Sequence, residues 1–124
     1  MGVTMLAVLV AAVFTGDTSN PDCSCFAIGK SAKALFSAKE FVPSSTQRLE
    51  ARLFDAEDRE LSVLVDRDET IAADGTWSGE VDLPTGRYGF FRVRATLGGL
   101  KLPKVGSRPE GCLTYVVAPD PKDR

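Results

Sequence analysis

An all-β, two-layered antiparallel sandwich is what this sequence predicts, and three observations carry it. Stretches of strand length between Arg48 and Val117 alternate apolar and polar side chains with a period of two. Turn-forming Gly, Pro and Asp separate those stretches at short intervals, and no convincing helix interrupts them. The chain has 124 residues, enough for one ordinary domain that buries roughly two-thirds of its unfolded surface without staples or metals.

Taken from the amino terminus, residues 5–14 are all apolar and are followed by Thr15-Gly16-Asp17, the size and flank of a signal-peptide core. A spanning helix needs about 20 apolar residues, so this segment is too short to cross a membrane. Residues 1–16 therefore read as a signal peptide cleaved between Ala12 and Gly16, although no Lys or Arg precedes the apolar run. The implied location is secreted or periplasmic, with no stable membrane insertion after processing. Residues 17–31, rich in turn formers, read as a flexible linker, and residues 32–118 as the sandwich.

The first strand is placed around Leu35 to Ser37, before the break at Pro43. Leu49, Ala51 and Leu53 alternate with Arg48, Glu50 and Arg52, giving a half-buried strand over Arg48 to Phe54. A turn over Asp55–Glu60 returns the chain through Leu61, Val63 and Val65, read as inward, with Leu64 outward and Asp66–Glu69 ending the strand. Asp74-Gly75 marks a tight hairpin or bulged loop. Trp77, Gly79, Val81 and Leu83 then share the core-facing parity of the next strand. Past Pro84 the longest strand carries Phe91, Val93, Ala95 and Leu97 on one side and Arg92, Arg94 and Thr96 on the other. A long loop over 98–111 precedes the last strand, Cys112 to Val117, and residues 119–124 form an exit tail. This grammar is that of an immunoglobulin-like sandwich of about seven strands. Sandwiches of this kind use a corner tyrosine, but Tyr88 has the opposite parity to Phe91, so Phe91 is read as inward and Tyr88 as a rim residue.

The composition excludes several chemistries. The chain has no histidine, which removes Ser-His-Asp and Cys-His arrangements and the usual neutral-pH base. A net charge of −2 with scattered Lys and Arg lacks the footprint of a nucleic-acid binder. The acidic residues Asp55, Glu57, Asp58, Asp66, Asp68 and Glu69 fall in expected turns, where solvation explains them, whereas glycoside hydrolysis needs two carboxyls fixed across a cleft. Asp66-Arg-Asp-Glu69 gathers hard oxygen ligands but lacks the spacing and glycine of a calcium loop. Cys23 and Cys25 without a second pair make no zinc site; they read as small residues of the arm, or as one end of a bridge to Cys112. No catalytic residue, metal or cofactor is assigned. The candidate ligand-binding residues are Tyr88 and Phe90, as outward aromatics, and Arg108, in the docking edge Leu102–Pro109, as a partner for a carboxylate. Phe54 is the third outward aromatic.

Three segments resemble a known module. Asp74-Gly-Thr-Trp77, the Gly89-Phe-Phe-Arg-Val-Arg-Ala95 run, and Gly106-Ser-Arg-Pro-Glu-Gly111 leading to Leu113-Thr-Tyr-Val-Val-Ala-Pro-Asp-Pro121 resemble the amino-terminal sandwich of bacterial extracellular glycoside hydrolases. The likeness covers 34–124. In that family the module precedes a catalytic (β/α) barrel, which these residues do not include. The resemblance implies a non-catalytic accessory module whose partner is a catalytic barrel domain, with a free-standing carbohydrate-binding or adhesive domain as the alternative.

Overall fold

The computed structural model describes residues 11–105 and 110–119. Among them are nine strands: β1 Val13–Thr18, β2 Cys25–Ala27, β3 Lys33–Lys39, β4 Thr46–Asp55, β5 Glu60–Thr70, β6 Trp77–Asp82, β7 Gly89–Leu97, β8 Leu100–Lys101 and β9 Cys112–Ala118. They form a three-stranded sheet in the order β1-β3-β6 and a second sheet in the order β2-β9-β7-β4-β5, with β8 on β7. The two layers enclose a single apolar cluster in an immunoglobulin-like β-sandwich whose strands pair antiparallel apart from β2 on β9.

The alternating pattern sets the inner faces. Ala34, Phe36 and Ala38 of β3, Leu49, Ala51 and Leu53 of β4, and Phe91, Val93, Ala95 and Leu97 of β7 are all buried. Leu35, the apolar residue on the outward face of β3, is exposed. On the second sheet Phe91 stacks on Tyr115 at 5.2 Å, and Phe26 meets the same ring edge-on at 6.1 Å. The Tyr115 hydroxyl donates to the Pro84 carbonyl at 2.9 Å, tying β9 to the β6–β7 connection. The structural tyrosine of this sandwich is thus on the last strand. Phe91 points inward and Tyr88 lies on the rim, as their parities require.

The amino-terminal arm departs from the expectation. Val13–Thr18, read as the end of a leader and the start of a flexible linker, is an edge strand paired antiparallel to β3 from Val13↔Lys39 to Thr18↔Ala34. Phe14 is fully buried beside Phe36, with ring centroids 5.4 Å apart. The linker expected over 17–31 is a structured crossover: Thr18 is buried, its hydroxyl bonded to the Asn20 carbonyl and to the Ser24 hydroxyl, and β2 pairs parallel to β9. The two ends of this segment join different sheets, which explains why it lacks a continuous alternation. Most of the leader, residues 1–10, and part of the exit tail, 120–124, lie outside the described residues.

Other corrections concern β5. The register slips between Ala51 and Arg52 and again between Leu53 and Phe54, so Val63 and Leu61 are exposed while Leu64 packs against the core. Each slip inserts a residue and reverses the facing of the residues beyond it, which a strict period of two cannot represent. Asp66–Glu69 does not end the strand but belongs to it. The Asp74-Gly75 turn is tight, with Gly75 at φ 83°, but it carries the chain from one sheet to the other instead of closing a hairpin.

Candidate functional site

The exposed aromatics gather where β7 begins. Gly89 adopts φ 143°, a conformation side-chain-bearing residues avoid, and this lets Tyr88 and Phe90 both face solvent while Phe91 enters the core. Tyr88 is 55% exposed and Phe90 40%. The Arg92 guanidinium lies 5.9 Å from the Phe90 ring centroid. A shallow hollow of ≈ 120 Å³ separates this rim from the β4–β5 turn and is lined in part by Asp55, Arg59, Arg87 and Tyr88.

That turn is held rigid by Asp55. Its carboxylate accepts the backbone N–H groups of Glu57 and Arg59, both at 2.9 Å, and the Arg59 Nε at 2.9 Å. The Arg59 backbone donor, then the Arg59 guanidinium and the Glu57 N–H, hold the Asp55 carboxyl below the usual range against the opposing effect of burial. Asp58, at the tip, bonds to Arg94 and lies 3.7 Å from Arg92.

Register places this rim at one end of the molecule. Gly89 pairs with Val117 and Phe90 with Val116, so Tyr88 and Phe90 flank the point where the chain leaves β9. Of the sequence-derived candidates, Tyr88 and Phe90 therefore come together, and Arg108 lies outside the described residues. Phe54 is not a platform: it is buried beneath Arg94, whose guanidinium sits 4.1 Å from its centroid. Trp77, expected inside, is only half-buried because β6 is an edge strand, and it lines a depression of ≈ 520 Å³ with Thr70, Thr76 and Ser78.

A second groove, of ≈ 440 Å³, crosses the outer face of the larger sheet and is lined by residues including Glu50, Arg52, Arg94, Thr96 and Lys101. Sequence reading did not single it out; the outward parity of Arg52 and Arg94 was its only signal. It offers no aromatic platform for a sugar ring. Arg52 is engaged by Glu60 at 3.1 Å and Arg94 by Asp58. The acids of β5 are similarly engaged, Asp66 and Asp68 by Arg48 at 2.7 and 3.1 Å. Among the described residues no group of three or more Cys, Asp or Glu is placed to hold a metal ion.

The cysteines are free, Cys23 and Cys25 exposed and Cys112 buried. Cys25 pairs with Val116, four residues along β9 from Cys112. At about 3.3 Å per residue that is roughly 13 Å, beyond the ~7 Å limit for a bridge, so the pairing with Cys112 considered from sequence is excluded for Cys25.

These features define the class as a small immunoglobulin-like β-sandwich domain. No protein-family model matches the chain, and no curated protein matches it by sequence. Solved structures share its fold. A CARDB domain from Pyrococcus furiosus, solved in complex with di-metal ions, superposes with a TM-score of 0.57 at 9% identity, covering 89% of this chain and 94% of that one. A beta-glucosidase from Listeria innocua matches with a TM-score of 0.55 in its complexes with gluconolactone and with isofagomine, at 13% and 14% identity. Each match covers 86% of this chain and 16% of the beta-glucosidase, so the chain corresponds to a small part of that enzyme's length. At these identities the likeness is one of fold.

Proposed function

We propose that this chain is a non-catalytic accessory module of an exported glycoside hydrolase-like protein, and that it docks on or orients a catalytic barrel through the Tyr88–Phe90 rim. The observation that carries the reading is placement. The two most prominent exposed aromatics of the β7 end stand beside the exit of the chain from β9, where a following domain would first make contact. Aromatic side chains edged by arginine are the residues that interfaces between folded units favour. The fold shared with a fraction of a beta-glucosidase supports the same assignment. Export, in this reading, requires processing before Val13, because Phe14 belongs to the core.

A second reading, a free-standing carbohydrate-binding or adhesive domain, draws on Trp77, a half-exposed indole flanked by the hydroxyl-bearing Thr70, Thr76 and Ser78. The two are separated by following the coding region past Arg124 and titrating the chain with oligosaccharides. The docking reading expects an in-frame barrel and, in the longer product, a lower thermal midpoint for Tyr88→Ser/Phe90→Ser while the isolated sandwich melts unchanged. Absence of a second domain together with millimolar or tighter sugar binding overturns it in favour of the second. Hydrolysis of a chromogenic glycoside by the purified chain overturns both.

A further inference from the structure

Where the chain crosses from the smaller sheet to the larger, it presents two sulfurs two positions apart in sequence. Cys23 and Cys25 are both exposed. Between them Ser24 takes φ 52°, and this left-handed residue folds the tripeptide tighter than an extended one, whose ends lie about 7 Å apart. The separation thus falls toward the ~4.4–6.8 Å range in which two cysteines can be bridged. The kink is anchored from four directions. Ser24 N–H donates to the Asn20 carbonyl at 2.8 Å, Val116 N–H donates to the Ser24 carbonyl at 2.9 Å, and the Ser24 hydroxyl bonds to that of buried Thr18 at 2.9 Å. The fourth is the Asn20 side-chain amide, which donates to the Cys25 carbonyl at 2.9 Å.

The same amide distinguishes the two sulfurs. Asn20 Nδ2 lies 3.3 Å from Cys23 Sγ as a donor and holds that sulfur in place at the surface, while the Cys25 thiol donates to the Cys23 carbonyl at 3.2 Å. We propose that Cys23 and Cys25 form a thiol–disulfide exchange site for small disulfides of the glutathione class, with Cys23 as the attacking sulfur and Cys25 as the resolving one. Hydrogen bonding to Cys23, then desolvation and the charge of a Cys23 thiolate, keep the Cys25 thiol above its ordinary value, so it stays protonated through the first step.

The exchange balances over two steps. The Cys23 thiolate attacks one sulfur of the disulfide, forming a mixed disulfide and expelling the first small thiolate, which takes a proton from water. Cys25 then loses its proton and attacks the Cys23 sulfur, closing the Cys23–Cys25 bond and expelling the second small thiolate. Two cysteine thiols are oxidised, one small disulfide is reduced to two thiols, and no other oxidant is needed. The resulting ring spans only three residues and lies at the surface, so its disulfide belongs among the strained, readily reversed kind.

The test treats the full chain with glutathione disulfide, quenches it with acid and reads the intact mass. The expected product is about 2 Da lighter than the reduced chain, with Cys23 and Cys25 protected from alkylation and Cys112 still free on unfolding. Cys25→Ser is expected to stop at the mixed disulfide, about 305 Da heavier, and Cys23→Ser to react at least about tenfold more slowly. In urea, where the Ser24 anchors are lost, the ratio of closed to mixed species should fall about tenfold. Adducts on both sulfurs without closure, equal closure in urea, or equal rates for the two serine variants would each overturn the proposal. Cys112→Ser, assayed in parallel, is expected to behave as the unsubstituted chain, and loss of closure in that variant would count against the assignment equally.

Discussion

Removing one oxygen from the core, by Tyr115→Phe, tests how the two sheets are joined. Tyr115 is 1% exposed and its hydroxyl reaches the Pro84 carbonyl at 2.9 Å, so the variant keeps the ring packing on Phe91 and Phe26 and loses only that bond. A neutral hydrogen bond contributes about 0.5–1.5 kcal/mol, and leaving a desolvated carbonyl without its donor brings the expected loss to roughly 1–2 kcal/mol. In a domain of this length that is about 3–5 °C in melting temperature for each kcal/mol. There is also an alkaline signature. Burial raises the Tyr115 phenol above its ordinary value, so near pH 10 the unfolded chain gives up this proton while the native one holds it. Stability therefore falls as pH rises through that region, by about 1.4 kcal/mol per pH unit from this group, and Tyr115→Phe removes that share of the slope. Urea melts followed by Trp77 fluorescence, at neutral pH and across the alkaline range, measure both effects. Tyr88→Phe serves as the control, expected to change stability by less than about 0.5 kcal/mol because its ring is at the rim. A Tyr115→Phe variant as stable as the parent at neutral pH, or one with the same alkaline slope, would refute the reasoning.

Three further perturbations address separate devices. Gly75→Ala forces a side chain into φ 83° with its Cβ 2.8 Å from the Phe41 carbonyl, and should cost at least about 1–2 kcal/mol in a urea melt. Gly79→Ala places a Cβ 2.6 Å from the Trp77 indole, so the expected result is a displaced indole with red-shifted emission and a loss of roughly 1–3 kcal/mol; unchanged emission would argue against the contact. Asp55→Asn should flatten the acid limb of stability. The folded carboxyl lies below its ordinary value, so its contribution is present above the unfolded value and is lost as pH falls through the folded one, which acid titration of the melting midpoint will show or deny.

The parts of the fold legible in the sequence are those where one strand keeps one face to the core. β7 follows its two-residue rhythm throughout, and β4, β6 and β9 follow theirs except where Phe54 and Cys112 are buried out of phase. Legibility fails where pairing is non-local or slips. β1 carries only Phe14 and Thr18 fully inward, with Gly16 and Asp17 between them, and its strand character comes from β3. β5 reverses its facing twice through bulges. Phe54 has outward parity, yet Arg94 lies over it, a contact between residues 40 positions apart that no local pattern encodes. At the candidate site, the outward facing of Tyr88 and Phe90 around Gly89 was readable, but their proximity to the exit of β9 depends on the Gly89↔Val117 register.

The smaller sheet shows why β1 cannot be dispensed with. Phe36 on the central strand is paired with Gly16 on one side and Gly79 on the other. A Cβ at Gly16 would come within 2.6 Å of the Phe36 ring, and one at Gly79 within 2.6 Å of the indole of Trp77. The rings therefore lie across the glycines, and Phe14 packs against both, 5.4 Å from Phe36 and 6.5 Å from Trp77. Large rings over missing side chains fill this layer of the core with only three strands, a device that works only if all three are present. Cleavage after Val13 or beyond would trim β1 and, past Phe14, remove a fully buried phenylalanine whose loss costs about 3–5 kcal/mol, a large share of the ~5–15 kcal/mol that holds a domain together. Within the leader boundary expected from hydropathy, the packing of Phe14 allows only the earliest cut, after Ala12, because Val13 to Thr18 must stay intact beside β3.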